Sequence, residues 1–95
     1  MSETYGIWGQ RRRAFLYDHK RSIFKAMEFE GTLEKHLTET DKTANETFSQ
    51  LVKQYAAREG VTEELKARDQ MAWVSAMNNI RKRVEEIIFA ELIFV

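Results

Sequence analysis

Fifteen basic and fifteen acidic side chains cancel in a chain of 95 residues, enough for one domain, 1–95, and no second. A neutral chain lacks the basic bias of a typical nucleic-acid-binding domain, so any attraction to phosphate must come from a local patch. Without cysteine there is no disulfide, thiol nucleophile or Cys-based zinc site; without proline, and with glycine only at 6, 9, 31 and 60, the chain reads as long helices punctuated by glycine.

The N-terminus is polar, with no apolar core of a secretory signal, and no window approaches the roughly 18 apolar residues of a membrane span. A cytoplasmic protein without membrane contact is expected. The first predicted helix runs from Gly9 to about Phe29, with Trp8, Phe15, Ile23 and Met27 on one stripe and Leu16, Phe24 and Ala26 beside it. Gly31 is a natural stop, because glycine accepts the left-handed conformation that closes a helix.

Leu33 and Leu37 point to a short helical piece near 32–40, and Thr43-Ala44-Asn45-Glu46 has capping-box spacing, which would start the second main helix near 43. That helix carries Ala44, Phe48, Leu51, Val52 and Tyr55 and ends at Gly60. Thr62 is a good N-cap for a third, and Glu63 and Glu64 suit its positive end. The third stripe continues through Leu65, Ala72, Trp73, Ala76, Met77, Ile80, Val84 and Ile87, a helix of about 30 residues and roughly 45 Å. The expected fold is all-α, a compact bundle of three long helices with a short extra helix near 32–40.

Catalytic signatures are missing. His19 and His36 are the only imidazoles, and neither belongs to a helical His pair or a Glu-x-x-His motif. Glu34, Glu39 and Asp41 lie near His36, but a solvated acidic face is the plainer reading than a metal site. Serines 2, 22, 49 and 75 lack a nucleophile-elbow setting, and there is no Gly-rich phosphate loop. The expectation is no enzyme, no metal and no cofactor.

Residues 7–27 carry six basic groups against the single acid Asp18, a local charge of +5. Successive helical residues are about 100° apart, so Arg11, Arg12 and Arg13 fan over about 200° and cannot face one ligand. Arg12 falls at the edge of the apolar stripe, its stem packed and its head in water. Two readings of the run stand. In one, Trp8, Arg11, Arg13, Lys20 and Arg21 meet phosphate or an acidic protein surface, with Trp8 as an aromatic anchor. In the other, the acids of residues 28–46 neutralise the helix within the bundle. A second cluster, Arg81-Lys82-Arg83, is blunted by Glu85 and Glu86 at i+4 from Arg81 and Lys82. Asn78 and Asn79 read as amides bonding across a helix interface.

Around "YAAREGVT", Ala56, Gly60, Val61 and Thr62 have the spacing of a helix-turn-helix, with Arg58, Thr62, Lys66 and Arg68 as candidate DNA contacts. The second half of the motif fails, because Lys66 and Asp69 stand where apolar residues belong and Glu63 and Glu64 would repel phosphate. A tight link between bundle helices is the better reading. The closing stretch "IIFAELIFV" holds eight apolar residues and Glu91. Either its own bundle covers it, or Ile88, Phe89, Leu92 and Phe94 form an exposed patch through which the chain would homodimerise.

Taken together, "GIWGQRRRAFL", "FSQLVKQYAAREGVTEELKARDQMAWVSAMNNIRKRVEEII" and "AELIF" resemble the TnpV family of small proteins carried on bacterial transposons. The likeness spans nearly the whole chain from Gly6, is weakest over residues 25–47, and leads one to expect a proline-containing leader before "GIWG" that this chain lacks. It implies a cytoplasmic accessory protein of mobile DNA and supplies no catalytic mechanism. Two functions follow as expectations. One is a protein-binding modulator of a nucleic-acid-handling protein, either the element's recombinase or a host defence nuclease such as a CRISPR effector, which it would inhibit. The other is an excisionase-like DNA-binding protein using the turn at 56–69.

Overall fold

The computed structural model describes residues 5–95; the N-terminal leader expected from the resemblance lies outside them. They fold into α1 (Ile7–His19), α2 (Arg21–Glu30), α3 (Leu33–Arg58), α4 (Glu63–Arg68), α5 (Gln70–Ile88) and a π-helical turn, Phe89–Ile93. No strand occurs among the described residues, and the all-α expectation stands. Its partition differs at three places.

The first helix divides at Lys20, where no glycine or proline announces a break. Its backbone leaves the helical region (φ −134°, ψ 49°), while Arg21 Nε donates to the Tyr17 carbonyl at 2.8 Å. A side chain taking over a carbonyl of the helical ladder is a recognised cause of a kink. The stripe shifts accordingly: Leu16 and Phe24 are buried, whereas Ile23 and Ala26 face outward.

The second difference is that α3 is one helix of 26 residues, about 39 Å long, and the capping-box spacing at Thr43–Glu46 falls inside it. Leu33, Leu37, Ala44 and Phe48 share its inner face, with the carboxylate of Asp41 between them. That acid, read from sequence as solvated, is buried. Third, the predicted long third helix breaks at Asp69 (φ −151°, ψ 86°), whose Oδ1 accepts from Ala72 N at 3.1 Å and so caps a new helix, α5.

The glycine stops and the Thr62 cap occur where expected. Gly31 and Gly60 hold φ of 77° and 72°, and Thr62 Oγ1 accepts from Leu65 N at 3.3 Å. After Gly60 the Val61 N–H returns to the Ala56 carbonyl at 2.8 Å, closing α3.

Two apolar cores lie along α3. The larger joins Trp8, Ala44, Val61, Met77, Ile80, Val84, Ile88 and Ile93; the smaller joins Tyr5, Leu16, Phe24, Leu33 and Leu37. The bundle is therefore long and narrow, 55 × 24 × 18 Å.

Candidate functional site

The "GIWG" start of α1 is built by tertiary contacts. Gly6 occupies the N-cap position with no side chain to offer, and the vacant role is filled from α3: Asp41 Oδ1 accepts the Gly9 N–H at 2.9 Å. Asp41 Oδ2 accepts from Asn45 Nδ2 at 3.1 Å, and Asn45 Oδ1 accepts from Trp8 Nε1 at 3.1 Å. Gly9 is obligatory for another reason, since a Cβ there would lie 2.6 Å from the Tyr5 ring. Trp8, 6% exposed, packs between Phe48 and Phe89 with ring centroids at 5.8 and 5.2 Å. Its place is in the core, which corrects its reading as an anchor for a partner.

The three arginines do fan, and each lies on a different ring. Arg11 stands over Phe89 at 5.4 Å, Arg12 over Phe15 at 5.9 Å and Arg13 over Phe24 at 5.3 Å. Arg12 is half-buried, and its head does not simply reach water. Its Nη1 donates to the Ile93 and Val95 main-chain oxygens at 2.9 and 2.6 Å, and its Nε donates to His36 Nε2 at 3.2 Å. His36 is thus an acceptor and must be neutral to keep the bond. Burial first, then the Arg12 charge, lowers its pKa below the ordinary histidine value, with Glu39 opposing.

Across the Lys20 kink a second set of rings and cations forms a ladder. Arg13 covers Phe24, Phe24 meets Tyr17 edge-on at 5.2 Å, and Arg21 lies 3.8 Å over the Tyr17 ring. Rings beneath guanidinium groups hold them in place and shield part of their surface from water. Lys20 and Lys25 flank the ladder, exposed. No carboxylate among the described residues lies within 4 Å of Arg11, Arg13, Lys20, Arg21 or Lys25; the ion pairs found are Arg68–Glu64 and Arg83–Glu59. Direct ion pairs to the acids of residues 28–46 do not neutralise this helix.

Other candidates from sequence are engaged at home. Arg58 lies over Tyr55 at 5.4 Å, Thr62 caps α4, Lys66 lies over Trp73 at 4.6 Å, and Arg68 pairs with Glu64 at 3.7 Å. The helix after the turn has only six residues, opening on the exposed Glu63 and Glu64. Arg83, at 2.7 Å from Glu59, is the member of the second basic cluster that finds an ion-pair partner, and its hydrogen bond lowers the Glu59 carboxyl pKa. Asn79 accepts from Arg83 Nε at 2.9 Å on its own helix and not across an interface.

The C-terminal stretch is covered mainly by its own bundle, the first of the two arrangements expected for it, and of the four residues named for a dimer patch only Phe94 stays exposed. Ile88 is 1% exposed, Phe89 and Leu92 are half-buried, and Phe94, 44% exposed, stacks on Phe89 at 5.1 Å and 9°. The two phenylalanines are five residues apart, and the Phe94 N–H reaches the Phe89 carbonyl at 2.8 Å. This i→i+5 closure defines a π-turn and brings the rings together. Sequence reading missed both this turn and the Arg12 bonds to its end.

Among the described residues, no group of three His, Cys, Asp or Glu side chains stands close enough to hold a metal ion, and no helix is long and apolar enough to cross a membrane. Among the described residues, fold and site together define an all-helical protein with a basic α1–α2 face that makes no ion pair and is backed by aromatic rings. The chain belongs to the TnpV family, described as transposon-encoded protein TnpV, whose family model matches residues 1–93. No curated protein and no solved structure matches it.

Proposed function

We propose that this transposon-encoded chain is a non-enzymatic accessory protein that acts by binding a nucleic-acid-handling protein through the α1–α2 face. The partner is the element's own recombinase or a host defence nuclease such as a CRISPR effector, which the chain would inhibit. The observation that carries this reading is a set of cations, Arg11, Arg13, Lys20, Arg21 and Lys25, without ion-pair partners among the described residues, three of them laid on rings, on a chain of zero net charge. Such a molecule has little long-range pull on a polyanion but offers strong local contacts at close range. The test is titration of the purified chain with purified recombinase and with a CRISPR effector. A complex of micromolar affinity or better is expected with one of them, and no complex with either at about 100 µM would reject the reading.

The turn at 56–62 favours a second reading, excisionase-like DNA binding, because a positive-φ Gly60, the Val61 return bond and the Thr62 cap are turn elements of the kind a helix-turn-helix uses. Against it stand the six-residue α4 and its two leading carboxylates. A gel shift on the transposon ends decides this: the second reading requires a complex whose affinity falls steeply with salt, and tighter binding when Glu63 and Glu64 become Lys.

A further inference from the structure

We infer that the α1–α2 face receives an acidic segment of the protein partner, its carboxylates meeting Arg13, Lys20, Arg21 and Lys25 and its apolar side chains meeting Tyr17 and Phe29. This rests on the protein-contact reading above and names the chemistry that the partner must present. Charge complementarity selects the occupant. Arg21 spends its Nε on the Tyr17 carbonyl, which leaves its two terminal nitrogens facing outward with no partner among the described residues. Arg13, held over Phe24, likewise has its nitrogens unbonded among the described residues. A guanidinium fixed in this way offers a carboxylate paired, parallel donors.

The same two helices expose apolar surface beside the cations: Tyr17, 43% exposed, lies under Arg21, and Phe29, 92% exposed, follows Arg21 and Lys25 at four-residue steps on one face of α2. An amphipathic acidic segment uses both kinds of surface. A nucleic-acid backbone uses only the first, and here it would meet few charges. Four cations release at most about four counterions, against the 6–10 phosphate contacts of a tight DNA binder.

The experiment is fluorescence anisotropy on the full chain with three labelled probes: a synthetic helical peptide of interleaved Glu and Leu, its counterpart with Gln for every Glu, and a DNA duplex of matching charge. The acidic peptide is expected to bind at least about tenfold more tightly than the Gln counterpart. Each of the double variants R13Q/R21Q and K20Q/K25Q should lose about tenfold, while Arg68→Gln, whose side chain already pairs with Glu64, should bind as the parent does. The lysine pair makes no ring contact among the described residues, so that variant keeps the test valid should loss of Arg13 from Phe24 disturb folding.

Equal binding of the two peptides, indifference to both double variants, or tighter binding of the duplex through the same residues would overturn the inference. The two failures separate cleanly. A recombinase or effector complex that ignores R13Q/R21Q and K20Q/K25Q sinks the acidic-segment assignment and the placement of the contact on α1–α2, and leaves the partner class standing. Peptide binding without any such complex sinks the function proposed above and leaves the surface chemistry standing.

Discussion

Asp41 carries a charge into an apolar helix face and keeps its place because three neighbours depend on it. The Gly9 N–H and the Asn45 amide donate to it directly, and Trp8 is held through Asn45. Replacement by Ala leaves the Gly9 donor buried and unsatisfied, so Asp41→Ala should cost about 2 kcal/mol in urea denaturation. Gly9→Ala, which drives a methyl into the Tyr5 ring, should cost about 1–3 kcal/mol in the same assay. His36 sets a pH dependence. Because its pKa is lowered in the folded state, the unfolded chain binds the proton more readily. Stability is therefore full above the ordinary histidine value of about 6.5 and falls as pH drops below it, levelling off once the folded pKa is passed. Thermal melts from pH 7.5 to 5 should show that slope in the parent and a shallower one in His36→Gln.

At the scale of elements, the boundaries legible in sequence are those written in local chemistry. Gly31 and Gly60 adopt positive φ and Thr62 bonds the amide three residues on, each needing only its own few neighbours. Gly60→Ala should lose about 1 kcal/mol, read by chemical denaturation, since alanine is strained at φ of 72°. The breaks at Lys20 and Asp69 rest on bonds just as local, Arg21 to the Tyr17 carbonyl and Asp69 to the Ala72 amide, but neither position carries a glycine or proline and the apolar spacing runs on across both, so the sequence reads through them. The unbroken α3 was hidden for the converse reason. Asp41 interrupts its apolar spacing, and only the distant Gly9 shows why an acid belongs there. The candidate site was legible as charge: Arg11, Arg13, Lys20 and Arg21 are exposed. Its aromatic backing was legible only in part: Arg21 finds Tyr17 four positions away, whereas Arg13 meets Phe24 across the unforeseen Lys20 kink and Arg11 finds its ring 78 positions away at Phe89.

For the molecule as a whole, two cores strung along one helix give a shape far from spherical. The radius of gyration is 16.8 Å, whereas a compact chain of this length would have about 12 Å. Small-angle scattering should return the larger value. The cores are also unequal, and the smaller, beneath α1 and α2, rests on five buried residues with Met27 alongside. Amide exchange should therefore find α2 opening at a lower free energy than α5, whose Ile80, Val84 and Ile88 lie in the larger core. A partner seated on α1–α2 would slow exchange there first, which makes the same measurement a map of the proposed contact.

The cap borrowed from α3 also bears on the order in which the chain folds. A helix that begins on its own Ser or Asp nucleates from local sequence, but α1 begins on a glycine and its third amide waits for a carboxylate 32 residues downstream. Its first turn is therefore secured only once α3 has formed and docked, so the N-terminal segment joins late, and Asp41→Ala should speed unfolding while leaving the folding rate nearly unchanged. Gly6→Ser would return that decision to the local chain, since a side chain there meets only ordinary contacts with Asp41.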